Sequence, residues 1–261
     1  MKSASSRRGP KTPDGLDQVY GVHALQSLLD RGEAPRELWV QQGAGSRLKE
    51  LVAHAQSHGA RVKEQPRDLL DQLTQGAAHQ GVVAFCPPLT PEGEESLWLK
   101  LRAWPSNTPP LLLILDGVTD VHNFGACLRS ADAAGAHGVI VAKDKAAPLN
   151  ATVRKVACGA AEVVPVYQVT NLARTLAKLK DAGVWITGTA GEAEASVFDI
   201  DMTGPTALVM GAEGKGMRRL TREACDNLAK LPMAGEVSSL NVSVATGICL
   251  FEAVRQRQLA S

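Results

Sequence analysis

Neither sign of charge is in excess in this sequence, because 28 basic and 27 acidic residues leave a net charge of +1 over 261 positions. The chain therefore cannot bind nucleic acid through an overall positive charge, and any basic patch must be local. Apolar residues make up 44% of the chain. At this length they suffice for a buried core in one large domain or two modest ones.

The chain also lacks a disulfide framework and a membrane-spanning segment. Its cysteines are odd in number and show no C-x-x-C pair or metal-type spacing, which argues against closed disulfides. It has no run of about 18 apolar residues and no apolar secretory segment at its start. We therefore expect a soluble, cytoplasmic protein with no membrane partner. The cysteines are Cys86, Cys127, Cys158, Cys225 and Cys249.

Signatures of several enzyme classes are missing as well. His54 and His58 share a helix face, but no third ligand lies near them in sequence, so no metal site is expected. The chain contains no G-x-S-x-G nucleophile elbow. Its glycine-rich segment from Leu208 to Met217 fits neither the dinucleotide fingerprint nor the phosphate loop of nucleotide hydrolases.

Composition divides the chain into four parts. Residues 1–18 are predicted to be a flexible basic tail, since the first thirteen positions hold four cations, no acid and almost nothing apolar. This tail could contact RNA phosphates, or it could simply be solvated; the sequence leaves both interpretations open. Residues 88–109 are predicted to be a proline-rich interdomain linker. Residues 19–87 alternate between helical and strand patterns, which predicts a small α/β unit.

Residues 110–261 show continuous apolar strand patterns separated by helical segments. Such runs are typical of parallel strands covered by helices on both faces. Ligands of such sheets bind beyond the carboxyl ends of the strands, so we expect the site in the loops after Leu115, Thr187, Met210 and Leu231. The predicted strands are LLLILD, GVIVA, EVVPV, VWITG, ALVMG and KLPM.

Three clusters in this part could carry chemistry. In the segment from Asp116 to Ala136, Asn123 and Arg129 fall where a strand turns into a helix and could face a phosphate or a ribose. Ordinary helix capping and a solvated arginine are the open alternative. From Leu208 to Met217, three glycines surround Glu213, which is also compatible with a plain strand-to-helix turn.

The third cluster runs from Leu231 to Arg257 and contains a predicted helix. Ser238, Ser239 and Asn241 precede this helix and could cap it. A capped core helix is therefore the simpler interpretation. It leaves the crowd of polar side chains unexplained, because one capping residue is enough.

Together the three clusters resemble the motifs of the SpoU-type, or TrmH-type, branch of the knotted α/β methyltransferase superfamily. The resemblance extends from about Val19 to the last helix and is strongest in NATVRKVACGAAEVVPV, MGAEGKGMRRLTRE and VSSLNVSVATGICLFEAVRQR. It implies an α/β catalytic domain over residues 110–261 with a deep trefoil knot, a rarity among proteins. It also implies an L30e-like RNA-binding domain over residues 19–87, and a homodimer.

The activity that this resemblance implies is S-adenosylmethionine-dependent methylation of a ribose 2′-hydroxyl, with no metal. Within the family, the chain is most similar to enzymes that act on a guanosine of the peptidyl-transferase P loop in 23S rRNA. Naked 23S rRNA and a large-subunit assembly intermediate are both open as substrates. A tRNA ribose methyltransferase of the same family and a catalytically silent rRNA-binding assembly factor are the alternatives.

The family's functional residues match particular positions here. We expect Arg129 to act electrostatically on the target phosphate, with Asn123 and Glu213 positioning Arg129 and the ribose. Two positions depart from the pattern: DVHNF stands where relatives usually have DPHNLG, and Lys215 stands where an acid is common. The implied catalytic residues are Asn123, Arg129, Glu213, Ser239 and Asn241; the implied donor-binding residues are Thr189, Ala190, Met210, Gly211, Leu231, Met233 and Leu240.

Overall fold

The computed structural model describes residues 13–105 and 107–260. Most of the predicted tail, residues 1–12, lies outside the described residues. The chain divides into two compact units, one ending at Leu89 and the other beginning at Thr90. None of the helices in the described ranges has the length and apolar character needed to cross a membrane.

The first unit is a four-stranded sheet with three helices. Its strands are β1 (Asp17–Tyr20), β2 (Glu37–Gln41), β3 (Arg61–Gln65) and β4 (Val82–Cys86), and its helices are α1 (Val22–Asp30), α2 (Ser46–Ser57) and α3 (Arg67–Leu73). The strand order is β1-β4-β2-β3, with β2 and β3 parallel and the other pairs antiparallel. One sheet face packs on the larger core, which contains Leu25 and Leu38, and the other face packs Phe85 on Leu70.

Strand β1 begins inside the predicted tail. Asp17 pairs with Cys86 and Val19 with Ala84, so the segment is held by a partner that lies far away in sequence. Of its four residues only Val19 is buried. A short polar segment of this kind carries little strand signal of its own, because the pairing partner supplies the stability.

The second unit contains, within the described residues, an eight-stranded sheet whose pairs are all parallel. Its strands are β5 (Glu92–Gly93), β6 (Leu111–Asp116), β7 (Gly138–Ala142), β8 (Val166–Val169), β9 (Trp185–Thr189), β10 (Ala195–Ser196), β11 (Thr206–Gly211) and β12 (Asn227–Lys230). Its helices are α4 (Glu94–Arg102), α5 (Val121–Ala133), α6 (Ala151–Ala157), α7 (Ala160–Val163), α8 (Leu172–Asp181), α9 (Arg219–Glu223) and α10 (Val242–Ala260).

This sheet runs in the order β10-β12-β9-β11-β6-β7-β8-β5. Every residue of the central strand β6 is at most 2% exposed, so both faces of the sheet are covered. Helices α4 and α8 cover one face through Leu97 and Leu176. The predicted α/β class with a parallel sheet is confirmed.

Three expectations about elements differ from the structure. The predicted strand EVVPV is displaced, because Glu162 and Val163 belong to α7 and the strand begins at Val166. Strand β12 ends at Lys230, so most of KLPM is loop. The predicted linker contains β5, which pairs with β8, and α4, whose Leu97 is 1% exposed in the core. In the linker, pairing with β8 and packing of Leu97 in the core override the local pattern.

Arg257, near the end of α10, joins segments at the amino ends of the strands. Its guanidinium donates hydrogen bonds to the carbonyls of Pro109 (2.8 Å), Pro110 (3.1 Å), Met202 (3.0 Å) and Gly204 (2.7 Å). Pro109 and Pro110 lead into β6, and Met202 and Gly204 lie in the segment that leads into β11; these are the two strands at the centre of the sheet. The last helix is thereby tied to the strands that carry the site at their opposite ends.

Replacing Arg257 with Met should therefore lower the free energy of unfolding by about 1 to 3 kcal/mol, because part-buried carbonyls lose their donors. Urea unfolding followed by circular dichroism measures this loss. Arg219→Met is the control, since Arg219 forms an exposed i,i+4 pair with Glu223 and should cost less than about 0.5 kcal/mol. Equal losses of unfolding free energy in both variants would contradict the stabilising role of Arg257.

Candidate active site

The carboxyl ends of β9, β11 and β12 surround a cavity of about 770 Å³. Parallel strands end at one edge of a sheet, so loops from distant parts of the sequence meet there. The volume lies in the range of small-molecule sites. All seven residues expected to bind the donor line this cavity: Thr189, Ala190, Met210, Gly211, Leu231, Met233 and Leu240.

The glycine-rich loop after β11 approaches its own backbone very closely. A Cβ on Gly211 would lie 2.3 Å from the carbonyl carbon of Gly216 and 2.4 Å from the nitrogen of Met217. The loop then closes with paired backbone hydrogen bonds between Ala212 and Gly216, at 2.8 and 3.1 Å. No residue larger than glycine fits at position 211 without moving the backbone.

Asp116, at the end of β6, binds Arg218 at the carboxyl end of this loop. Its carboxylate is fully buried and accepts hydrogen bonds from the backbone nitrogen of Arg218 (2.8 Å) and from the Nε of Arg218 (2.5 Å). The loop that carries Glu213 is therefore held at both ends.

Glu213 is the centre of a polar network that joins the three sequence clusters. Its Oε1 accepts hydrogen bonds from Asn241 Nδ2 (2.6 Å), Asn123 Nδ2 (3.3 Å) and the backbone nitrogen of Val242 (3.3 Å). Asn241 Nδ2 also donates to Asn123 Oδ1 at 2.9 Å. The fold thus brings together three of the five predicted catalytic residues, at the rim of the cavity.

Helix capping and the network are compatible. Asp120, not Asn123, is the N-cap of α5, because its Oδ1 accepts from the backbone nitrogen of Asn123 at 2.8 Å. At the start of α10, Asn241 Oδ1 accepts from the backbone nitrogen (2.9 Å) and the hydroxyl (2.6 Å) of Ser243. The Asn123 side chain is therefore left for the network, whereas Asn241 serves both purposes.

The other two predicted residues lie apart from this network. Ser239 is exposed and lines the cavity. Arg129 is exposed on α5, where its Nη1 donates to the Sγ of Cys158 at 3.7 Å. Within the described residues, no hydrogen bond or ion pair joins Arg129 to Asn123 or Glu213. The predicted positioning of Arg129 by these two side chains therefore does not take the form of a direct contact in this structure.

Two charged residues of the cavity, Glu192 and Lys230, were not among the residues singled out from the sequence. Glu192, after β9, forms an ion pair with Arg222 of α9, and both line the cavity together with Lys215 and Lys230. Cys158, the contact of Arg129, has a left-handed backbone with φ of 54°. Only the tertiary structure reveals these neighbours. Among the described residues, no group of three or more metal-ligating side chains comes together.

Comparison with known proteins shows the class of the chain. Residues 110–251 match the model of the SpoU rRNA Methylase family, and residues 18–92 match the model described as RNA 2′-O ribose methyltransferase substrate binding. The first match alone covers more than half of the chain. The chain therefore belongs to the SpoU rRNA methylase family.

Individual relatives extend over nearly the whole chain. It is 58% identical over 246 residues to the 23S rRNA (guanosine-2′-O-)-methyltransferase RlmB of Pseudomonas putida, covering 94% of this chain and 98% of that protein. It is 56% identical over 243 residues to RlmB of Escherichia coli K12, covering 92% and 99%. The crystal structure of the SpoU methyltransferase AviRb from Streptomyces viridochromogenes with the cofactor AdoMet is 28% identical, with a TM-score of 0.75 and coverage of 94% and 92%.

The close approach of the Gly211 backbone to Gly216 and Met217 leads to a testable prediction about the cavity. Gly211→Ala should weaken binding of S-adenosylmethionine at least about tenfold, or ~1.4 kcal/mol, because the added methyl would displace the loop that forms one wall. Isothermal titration calorimetry measures the affinity. Gly191→Ala is the matched control, since Gly191 lines the same cavity but a Cβ there meets nothing within 4 Å. Equal affinities for both variants would contradict the role of Gly211.

Proposed function

We propose that this protein transfers a methyl group from S-adenosylmethionine to the ribose 2′-hydroxyl of a guanosine in the peptidyl-transferase P loop of 23S rRNA. The observation that carries the proposal is the network of Asn123, Glu213 and Asn241 at the rim of the cavity. Three motifs that are scattered in the sequence converge there on a pocket of suitable size. Such convergence is what a two-substrate transfer needs.

The lining of the cavity fits the methyl donor. Met210, Leu231, Met233 and Leu240 offer apolar surface for an adenine ring, and Gly211 lets backbone approach the ligand closely. When bound, S-adenosylmethionine supplies a methyl group already activated by the positive charge on sulfur. The residues of the protein therefore need to position this group and to activate the nucleophile, and no metal is required for either task.

Activation of the nucleophile is the harder task. A ribose hydroxyl ionises far above neutral pH, so removing its proton or stabilising the growing alkoxide contributes about 10²–10⁴ in rate. A guanidinium stays protonated, which suits it to electrostatic work and to bidentate phosphate binding. We propose that Arg129 binds the target phosphate and lowers the pKa of the hydroxyl.

The polar network serves orientation in this proposal. Because Asn123 and Glu213 contact Asn241 and not Arg129, we propose that they position the ribose from the network. Ser239, exposed on the cavity wall, and Asn241 orient the nucleotide or the donor. The start of α10 beside them adds the partial positive charge of a helix amino terminus.

The substrate-binding unit favours rRNA over tRNA. The match of residues 18–92 to a model for ribose methyltransferase substrate binding supports the proposal that this unit binds RNA. Minimal tRNA enzymes of the family tend to carry short extensions in its place. We infer an rRNA substrate, free or in an assembly intermediate, and a cytoplasmic location that follows from it.

We also propose that the protein acts as a homodimer through α10. Val244 and Phe251, about two turns apart on this helix, are 52% and 50% exposed. Two large apolar side chains on one helix face favour association with another surface. Helix α10 also packs against α5, which carries Arg129. The trefoil knot implied for this unit stays a prediction.

Mapping of ribose methylation tests the activity itself. Protein-free large-subunit rRNA from a strain that lacks the modification should gain one labelled methyl group when incubated with the protein and labelled S-adenosylmethionine. The label should map to a guanosine 2′-oxygen in the P loop. An assembly factor without catalysis would transfer no label, and a tRNA enzyme would label tRNA in the parallel reaction.

Arg129→Lys tests the phosphate role. A lysine keeps the charge but loses the bidentate fork, so kcat should fall at least about 100-fold, within the range of one electrostatic stabiliser. Affinity for S-adenosylmethionine should stay unchanged, since Arg129 is not among the cavity-lining residues. Arg219→Lys, an exposed site on α9, is the control. Turnover close to wild type in Arg129→Lys would refute the role.

A further inference from the structure

The first unit collects glutamines at one end of its sheet. Gln41 and Gln65 are the last residues of β2 and β3 and are direct partners in the parallel register. Gln42 follows and donates its backbone N–H to the carbonyl of Gln65 at 3.0 Å. Gln80 precedes β4, which starts at this same end because β4 is antiparallel to β2. We call Gln41, Gln42, Gln65 and Gln80 the amide edge.

Contacts show that this edge is continuous. The backbone nitrogen of Gln41 donates to the carbonyl of Gly81 at 2.8 Å. The Oε1 of Gln41 lies 3.4 Å from where a Cβ on Gly81 would be. Gln80, next in the chain, accepts from the backbone nitrogen of Val22 through its Oε1 at 2.9 Å. The four residues therefore lie at one end of the sheet, with Gln42 and Gln80 exposed and Gln41 and Gln65 partly buried.

The backbone at this rim is held in an uncommon conformation. Gln80 has a φ of 52°, in the left-handed region that non-glycine residues seldom occupy. The neighbouring His79 is 3% exposed and holds the turn, because its Nδ1 lies 3.1 Å from the nitrogen of Gly81 and its Nε2 lies 2.8 Å from Asp71 Oδ1. A buried side chain thus keeps Gln80 in place at the rim.

Two arginines flank the amide edge. Arg47 and Arg67 are exposed in the first turns of α2 and α3, the helices that follow β2 and β3 in the chain. Asp71 is shared between His79 and a 3.7 Å pair with Arg67, and two exposed acids, Glu64 and Asp68, lie next to Gln65 and Arg67 in sequence. The opposite end of the sheet differs in chemistry, since β2 and β3 start there with Glu37 and Arg61.

Glutamine amides flanked by arginines are suited to binding RNA. A primary amide donates and accepts at once, so it can pair with the edges of nucleobases, whereas cations contact phosphates without reading sequence. Base edges in RNA are accessible mainly in single-stranded loops and bulges. We propose that the amide edge binds unpaired bases of the RNA substrate, with Gln42 and Gln65 on base edges and Arg47 and Arg67 on the flanking phosphates. The inference rests on the proposed function, which supplies RNA as the substrate.

The test compares two double variants of the full chain. In Gln42→Ala/Gln65→Ala, the affinity for a P-loop fragment of 23S rRNA should fall at least about tenfold, and KM for RNA should rise by a similar factor. Both kcat and the affinity for S-adenosylmethionine should stay within about twofold of wild type. The matched control is Gln56→Ala/Gln72→Ala, which removes two exposed helical glutamines and should leave RNA binding unchanged.

Salt dependence separates base contacts from phosphate contacts. Arg47→Gln/Arg67→Gln should reduce the slope of log affinity against log salt by about 0.7 per arginine. The glutamine variant should keep the wild-type slope and should lose most of the preference for the P-loop fragment over a base-shuffled RNA.

The experiment distinguishes failure of this inference from failure of the proposed function. RNA affinity of the double glutamine variant within about twofold of the control would refute the inference, as would an equal loss for the shuffled RNA with a reduced slope. Should the double variant unfold, judged by circular dichroism, Gln42→Ala alone decides, because Gln42 is exposed beyond the end of its strand. A wild-type protein that transfers no methyl group to rRNA overturns the proposed function and not the RNA contact itself, since binding is measured directly.

Discussion

One carboxylate oxygen joins the separate parts of the candidate site. Oε1 of Glu213 accepts from Asn123, 90 residues earlier, and from Asn241, 28 residues later. These three side chains can meet because β6 and β11 are adjacent and parallel, so that their carboxyl ends lie side by side. The acceptor also receives the first N–H of α10. The start of the last helix, the rim of the cavity and the first motif are therefore positioned together by a single group.

The network can be this precise because its supports are rigid. Gly211 brings the loop backbone against itself, and the buried Asp116 holds the loop at Arg218. At the other end of the unit, Arg257 ties α10 to the starts of β6 and β11. Both ends of the same two strands are thereby fixed. Arg129 depends on a different constraint, the close packing of α5 on α6, where a Cβ on Gly125 would lie 2.7 Å from Val156.

The local pattern of apolar residues predicted strands correctly where the whole strand is buried. The apolar strands LLLILD, GVIVA and ALVMG lie in the sheet as expected, because a strand covered on both faces must be apolar throughout. The pattern was wrong where a partner decides the structure. Glu162 belongs to a short helix, where its carboxylate forms a buried ion pair with Arg154, and β1 exists only through its pairing with β4. Strand β4 lies more than 60 residues from β1, so this pairing cannot be recognised from a local window of sequence.

The sequence by itself determined the α/β class through its periodicity and the family through its motifs, and the family resemblance implied seven residues that lie among those lining the cavity. Tertiary structure alone decided which side chains touch. It joined Asn123 to Asn241 across 118 residues, placed Arg129 beside Cys158, and aligned four glutamines at one end of the small sheet. The physical reason is that hydrogen bonds and strand register depend on distances in space, which sequence separation does not determine.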